Sequence, residues 1–235
     1  MKRKIINISI AILLIFIIGA CSNDDDNVLT ITGISVVYNE TKIENTFFEE
    51  GATLPPTVDW DGEKGTFSSS SEVVTRGDVK IDKDTGVISW ERSIPLGEVE
   101  IDIKAANSSH TTMVKVVINT VFKEGVFFGG FNDDTSDEPD YSNIDFEFYI
   151  QFFENGTLSL SKPDDPGFSG TGTWQSDGPN LSIRYETTES APDELIMVGF
   201  ITNGTRSSLK GVWGRGLDSD GNVQIPRGVF SFFVT

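Results

Sequence analysis

The chain has 235 residues, of which 36 are acidic and 18 are basic, so its formal net charge at pH 7 is −18. A surface of this sign repels phosphate backbones, which argues against nucleic acid as a partner and against a basic patch that binds anionic lipid. With one cysteine and one histidine, the chain can form no internal disulfide and lacks the ligands of the usual zinc site. His110 is the sole imidazole available to a catalytic triad, so we expect no catalytic residues and no enzyme.

The amino-terminal residues form an export signal. A basic segment, Lys2–Lys4, precedes an apolar run from Ile10 to Ile18, and Gly19-Ala20-Cys21 follows. A basic start, a short apolar segment and small residues before a cut site are typical of a secretory signal, and the run is too short to span a bilayer. Residues 1–20 are therefore predicted to be a signal peptide.

The residues around the single cysteine predict a lipid anchor. Ile18-Gly19-Ala20-Cys21 resembles the lipobox of bacterial lipoproteins, which implies a diacylglycerol on the Cys21 thiol and a membrane as partner. The acidic run after it stays solvated and extended, so residues 21–27 are predicted to be a lipidated tether. Ser22, Asp24, Asp25 and Asp26 also resemble the export signal of Bacteroidota lipoproteins, which implies an outer-membrane, cell-surface location. A plain spacer is the open alternative.

Residues 28–120 are predicted to form a β-sandwich. From Val99 to Lys104, apolar and charged residues alternate with the period of two of a half-buried strand. Asp82 to Gly86 has the composition of a turn between two short strands, because aspartates bond nearby backbone and glycine accepts positive φ. Several short strands between such turns favour a sandwich.

The same region carries a family resemblance. Val79 to Trp90 has the sequence V-K-I-D-K-D-T-G-V-I-S-W, which is similar to a motif of the Ig-like, or cadherin-like, domains of bacterial surface proteins. Leu96–Val99 and Lys104–Asn107 fit the ending of that family, although Glu98-Val99 replaces the common aromatic residue. The resemblance covers about Gly51 to Ile118 and implies an Ig-like sandwich that serves as a spacer or an adhesive module.

Residues 121–235 are predicted to form an antiparallel meander barrel. Asn-Gly and Asp-Gly pairs at 155, 177, 203 and 220 fit the tight turns of β-hairpins. Eight sequential antiparallel strands can close on themselves and so remove their exposed edges. The predicted strands are Gly125–Phe131, Ile144–Phe153, Thr157–Ser161, Ser169–Gln175, Asn180–Thr187, Glu194–Thr202, Thr205–Trp213 and Gln224–Val234.

The order of short motifs in this half carries a second resemblance. From Phe152 to Phe233, segments such as N-G-T-L, G-T-G-T-W and L-K-G-V-W follow one another. This order is similar to that of the lipocalin-like barrel domains of secreted bacterial proteins. The resemblance implies a ligand bound in the barrel.

Two sets of side chains are candidate sites. The aromatic candidates for stacking on a glycan or protein partner, with burial in a core as the alternative, are Trp60, Tyr141, Tyr149 and Trp213. Carboxylates are ligands that calcium prefers, although neither acidic loop has the full pattern of an EF-hand and a merely solvated loop is the alternative. The calcium candidates are Asp133, Asp134, Asp137, Asp218 and Asp220.

These features predict an all-β surface lipoprotein that acts as a non-catalytic binding or adhesion module for a glycan or a protein. One alternative is a lipocalin-like carrier of a small apolar ligand, and another is a structural subunit of an envelope complex. An internal cavity lined by alternate strand residues would favour the carrier. A filled barrel with an exposed aromatic patch would favour adhesion.

Overall fold

A computed structural model describes residues 33–189, 194–204 and 206–235. In these ranges, the structure consists of β-strands and one five-residue helix, α1 (Glu72–Arg76). Within the same ranges, no helix has both the length and the apolar character needed to cross a membrane. The predicted signal peptide, Cys21 and the tether residues Ser22, Asp24, Asp25 and Asp26 lie outside the described residues, so these assignments stay predictions.

The first nine strands form three small sheets around one hydrophobic core. One sheet has the order β2-β9-β8-β5, a second has the order β3-β7-β6, and β1 pairs with β4. β2 runs parallel to β9, and the other pairs are antiparallel. The strands are β1 (Ser35–Val37), β2 (Lys42–Thr46), β3 (Gly51–Ala52), β4 (Thr57–Asp59), β5 (Thr66–Ser68), β6 (Val79–Ile81), β7 (Ile88–Trp90), β8 (Gly97–Ala106) and β9 (Thr111–Val121).

The sequence pattern of β8 sets which of its sides is buried. Val99, Ile101 and Ile103 point into the core, while Glu100, Asp102 and Lys104 are exposed. The predicted turn from Asp82 to Gly86 is also present. The Oδ1 atom of Asp82 accepts hydrogen bonds from the backbone N–H groups of Asp84 and Thr85, and Gly86 has a φ of 74°.

The remaining eight strands close into a barrel in chain order. Every neighbouring pair is antiparallel, and the first strand of the barrel pairs with the last to complete the closure. The strands are β10 (Gly125–Asn132), β11 (Phe146–Phe152), β12 (Thr157–Ser161), β13 (Ser169–Asp177), β14 (Asn180–Thr187), β15 (Leu195–Thr202), β16 (Ser208–Leu217) and β17 (Val223–Val234). The predicted fold class, an all-β chain with an amino-terminal sandwich and an eight-stranded antiparallel barrel, is confirmed.

The strand bounds differ most from the sequence prediction in β11 and β16. β11 begins at Phe146 rather than at Ile144. β16 begins at Ser208 and continues past Trp213 to Leu217, because Arg215 and Leu217 still pair with residues of β17. The pairing partner, which is distant in sequence, decides where such a strand ends.

Phe47, which follows β2, and Phe122, which follows β9, pack at one end of the barrel. Phe122 packs edge-on against Trp174 and Phe152, with ring centroids 5.0 and 5.3 Å away, and Phe47 stacks on Phe127 at 6.2 Å. The side-chain amide of Asn203 adds a hydrogen bond to the carbonyl of Ile94. Gly33–Thr235 forms one compact unit, and the predicted division into domains 28–120 and 121–235 stays a prediction.

Candidate ligand-binding cavity

The opposite end of the barrel holds an open cavity with a volume of about 520 Å³. This volume lies in the range of roughly 300–1,000 Å³ that is typical of small-molecule sites. The apolar and aromatic side chains that line it are Phe131, Phe146, Phe148, Leu160, Phe168, Tyr185, Leu195 and Trp213. The polar and charged ones are Asp133, Lys162, Thr187, Glu189, Arg215 and Arg227.

The alternation along each strand brings these side chains inside. On β14, Leu181, Ile183, Tyr185 and Thr187 are buried in sequence steps of two, and the last two of them reach the cavity. The same period places Phe148 of β11 and Leu160 of β12 inside the barrel, as is expected for strands with one inner side.

Phe131 lies between the cavity and the packed interior. Its ring centroid is 5.1 Å from that of Phe148 and 5.5 Å from that of Trp213, both of which line the cavity. On its other side, it contacts Phe230 and Phe232, which are fully buried. The barrel is therefore solid from the Phe122 end up to Phe131 and open above it.

One aromatic side chain at the mouth is unusually exposed. Phe146, at the start of β11, lines the cavity with 51% of its surface accessible, although it lies on the same side of its strand as the buried Phe148 and Ile150. The sequence predicts this shared side of β11. Phe146 is exposed because the open cavity leaves its ring without a packing partner at the mouth.

The lysine at the mouth is held in place by its neighbours. The Nζ atom of Lys162 lies 3.0 Å from Oε1 of Glu189, and it lies over the ring of Phe168 at 4.3 Å. The pair is only partly shielded from water, so its contribution to stability is modest.

Tyr185 lines the cavity from β14. Burial raises the pKa of its phenol far above the ordinary value, which keeps that group neutral.

A β-bulge gives Arg227 its position. Trp213 pairs with Gly228 and Gly214 pairs with Pro226, so Arg227 is the extra residue on β17. A bulge of this kind re-aims side chains and is common at barrel rims. Arg227 lines the cavity as a result. Sequence reasoning missed Lys162, Arg215 and Arg227, although a proline within the predicted last strand is a signal for a bulge.

The four aromatic candidates from the sequence lie in different places. Trp213 lines the cavity, and its Nε1 atom donates a hydrogen bond to the carbonyl of Asn132 at 2.9 Å. Tyr149 lies on the outer side of the barrel, with its ring centroid 4.8 Å from that of Phe128. Tyr141 lies between β10 and β11, outside the cavity lining. Trp60 packs against the core of the sandwich, edge-on to Phe67 at 5.3 Å.

The acidic candidates mainly bond to their own loops. Asp134 accepts hydrogen bonds from the backbone N–H groups of Asp140 and Ser136, which lower the pKa of its carboxyl. Asp218 likewise accepts hydrogen bonds from the backbone N–H groups of Asn222 and Asp220, which lower the pKa of its carboxyl. Asp133 lines the cavity, and Asp137 is exposed. Among residues 33–189, 194–204 and 206–235, no group of three or more acidic, histidine or cysteine side chains is placed to hold a metal ion. Calcium binding stays a prediction.

Comparison with known proteins gives distant structural likeness only. No family model and no curated protein matches the chain. Among solved structures, the chain is similar to cadherin domains 1–4 of protocadherin gamma B7, at 15% identity and a TM-score of 0.35, over 78% of this chain and 50% of that one. It is also similar to domains EC1-2 of human protocadherin-24, at 10% identity and a TM-score of 0.36, over 66% and 85% of the two chains. The chain thus spans half the length of the first of these structures, and the function proposed below does not rest on likenesses of this degree.

Proposed function

We propose that the protein is a non-catalytic binding protein of the bacterial outer membrane, held by a lipid on Cys21, that takes a small, mainly apolar ligand into its barrel. The observation that carries this proposal is the cavity of about 520 Å³ at one end of the barrel, whose aromatic and aliphatic side chains outnumber its polar and charged ones. A preformed cavity that combines apolar and aromatic walls with several polar groups is a usual form of a small-molecule site. Of the functions predicted from the sequence, this feature favours the carrier.

Burial of apolar ligand surface in the cavity would supply binding energy. Each Å² that is removed from water contributes roughly 25 cal/mol, from which the costs of association are subtracted. The exposed ring of Phe146 is apolar surface that a ligand would cover. The closed end, filled by Phe122, leaves the mouth as the route of entry.

The experiment measures binding of the neutral probe N-phenyl-1-naphthylamine to the chain from Ser22 onward. This chain retains the compact unit Gly33–Thr235 with both of its hydrophobic cores. We expect the fluorescence of the probe to rise saturably. Leu195→Trp, which fills the mouth, should abolish the rise, whereas Ile225→Trp on the exposed side of β17 should leave it unchanged. Absence of saturable binding by the unsubstituted chain contradicts the proposal.

A second candidate function, adhesion to a glycan or a protein, is favoured by a row of aromatic rings outside the barrel. Tyr149 pairs across strands with Phe128, and Phe128 pairs with Phe233. The guanidinium of Arg206 lies over the ring of Phe233 at 4.0 Å. Tyr149→Ala should weaken attachment of cells that display the protein to a glycan array, with Phe200→Ala as the exposed aromatic control on another strand. Equal attachment by both variants contradicts this candidate.

A further inference from the structure

We propose that the ligand of the cavity is an amphiphile with an anionic head group, which Arg227 binds at the mouth while the apolar part lies against the aromatic wall. This inference rests on the proposed function and adds the chemical class of the ligand. It depends on the placement of charge around the mouth and on the bulge that brings Arg227 there.

The mouth differs in charge from the rest of the molecule. Acidic residues outnumber basic ones two to one in the chain as a whole, with 36 against 18. Among the described residues that line the cavity, the cations Lys162, Arg215 and Arg227 outnumber the anions Asp133 and Glu189. A concave site with low-dielectric walls and this sign of charge concentrates anions, even on an acidic protein.

Among the described residues, some of the charged side chains at the mouth form ion pairs with one another, and Arg227 does not. Lys162 and Glu189 form an ion pair at 3.0 Å and so offset one another. Arg227 forms no ion pair with any residue in the described part of the chain. A guanidinium carries its charge at every physiological pH and presents a planar set of donors that matches the oxygens of a carboxylate or phosphate.

Arg215 and Arg227 lie on adjacent strands, next to the apolar wall of the cavity. Arg215 pairs with Ile225 on β17, and Arg227 is the bulged residue between that pair and the Trp213–Gly228 pair. Trp213 and Phe131 form the wall below them. A ligand with its head group at Arg227 therefore has its apolar part directed at Phe131, where the packed interior begins.

The test compares ligands that share one alkyl chain and differ in the head group. Decanoate, decyl phosphate, decanol and decyltrimethylammonium, each below its micellar concentration, displace N-phenyl-1-naphthylamine from the chain from Ser22 onward. We expect at least one of the two anions to bind about tenfold or more tightly than decanol, as is typical of a charge-assisted hydrogen bond. The better of the two identifies the head group. The cation should bind more weakly than decanol.

The matched variants are Arg227→Gln and Arg184→Gln. Arg227→Gln should remove most of the preference for the anion and leave the affinity for decanol unchanged, which also shows that the cavity is intact. Arg184 lies on the exposed side of β14, paired with Glu194, so its substitution makes the same charge change away from the mouth and should alter neither affinity. Added salt should weaken binding of the anion alone.

The experiment distinguishes failure of the head-group inference from failure of the proposed function. If decanol and the anions displace the probe equally, or if Arg227→Gln retains the full preference, then the inference about the head group is overturned while the apolar binding site stands. If the probe does not bind the unsubstituted chain, the proposed function itself fails.

Discussion

The indole of Trp213 on β16 donates a hydrogen bond to the carbonyl of Asn132 on β10, although β17 lies between these two strands. The bond passes close to Gly228, which pairs with Trp213 across the sheet. A Cβ atom at position 228 would lie 1.8 Å from the Asn132 oxygen and 2.8 Å from the Trp213 nitrogen. The link therefore requires glycine at this position, and it fixes one wall of the cavity.

Gly228→Ala should displace the Trp213 indole and destabilise the barrel. Overpacking of this kind typically costs about 1–3 kcal/mol, and the lost hydrogen bond adds to it. Urea denaturation gives the change in the free energy of unfolding, and near-UV circular dichroism reports the tryptophan environment. Gly204→Ala is the control, because a Cβ there meets no atom of the described residues within 4 Å. Equal stability of the two variants would show that the indole does not need this space.

Phe122→Ala should weaken the sandwich end of the barrel. Its ring contacts Phe127, Phe152 and Trp174, so truncation leaves a cavity that costs about 3–5 kcal/mol. Phe200→Ala, which removes a 48% exposed ring from β15, should change the free energy of unfolding by no more than about 0.5 kcal/mol. Urea melts followed by tryptophan fluorescence make the comparison. A loss at Phe122 no larger than that at Phe200 would contradict the packing described.

Tyr38→Phe should flatten the alkaline end of the stability profile. Tyr38 is buried in the sandwich and donates a hydrogen bond to the Gly86 carbonyl at 2.6 Å, and burial raises the pKa of its phenol from 10.0 to about 12. The unfolded chain ionises this phenol first as the pH rises. The stability that the neutral Tyr38 phenol contributes is therefore fully present below pH 10 and is lost between pH 10 and 12. The loss in the free energy of unfolding is on the order of 2 kcal/mol.

The measurement for Tyr38 is the urea midpoint at pH 8 and at pH 11. At pH 8 the variant should be less stable by about 1 kcal/mol, because it lacks the hydrogen bond. Between the two pH values, it should lose less stability than the unsubstituted chain. Tyr149→Phe, on the exposed outer side of the barrel, is the control and should keep the original pH dependence. An unchanged alkaline loss in Tyr38→Phe would show that this phenol does not carry the effect.

Cys21→Ala should release the protein from the membrane fraction, because the thiol is the predicted site of acylation. Fractionation and metabolic labelling with palmitate provide the readout. Asn23→Ala, which lies outside the predicted lipobox, is the control and should remain anchored. A Cys21→Ala protein that still labels and sediments with membranes would refute the lipobox.

Replacing Asp24, Asp25 and Asp26 with alanine should reduce display at the cell surface, whereas replacing all three with glutamate keeps the charge. Protease treatment of intact cells, followed by immunoblotting, measures the exposed fraction. If charge carries the export signal, the glutamate variant is digested like the original and the alanine variant is protected. Equal digestion of all three proteins would leave the acidic run a plain spacer.

The amino-acid sequence by itself determines the local features of this protein. The turn at Asn155-Gly156, the alternation in β8 and the bounds of β12 and β14 are correct because each depends on neighbouring residues, whose period and turn chemistry are visible along the chain. The sequence also names Trp213 as a candidate contact, and this residue lines the cavity.

Tertiary structure alone decides what the barrel contains. Phe122 and Phe131 are equally apolar in sequence, yet one fills the closed end and the other lies beneath an open cavity. Arg227 reaches the mouth because a register shift between β16 and β17 leaves it unpaired in the ladder. Such features depend on pairing and packing between residues far apart in the chain, and no local period or motif records them.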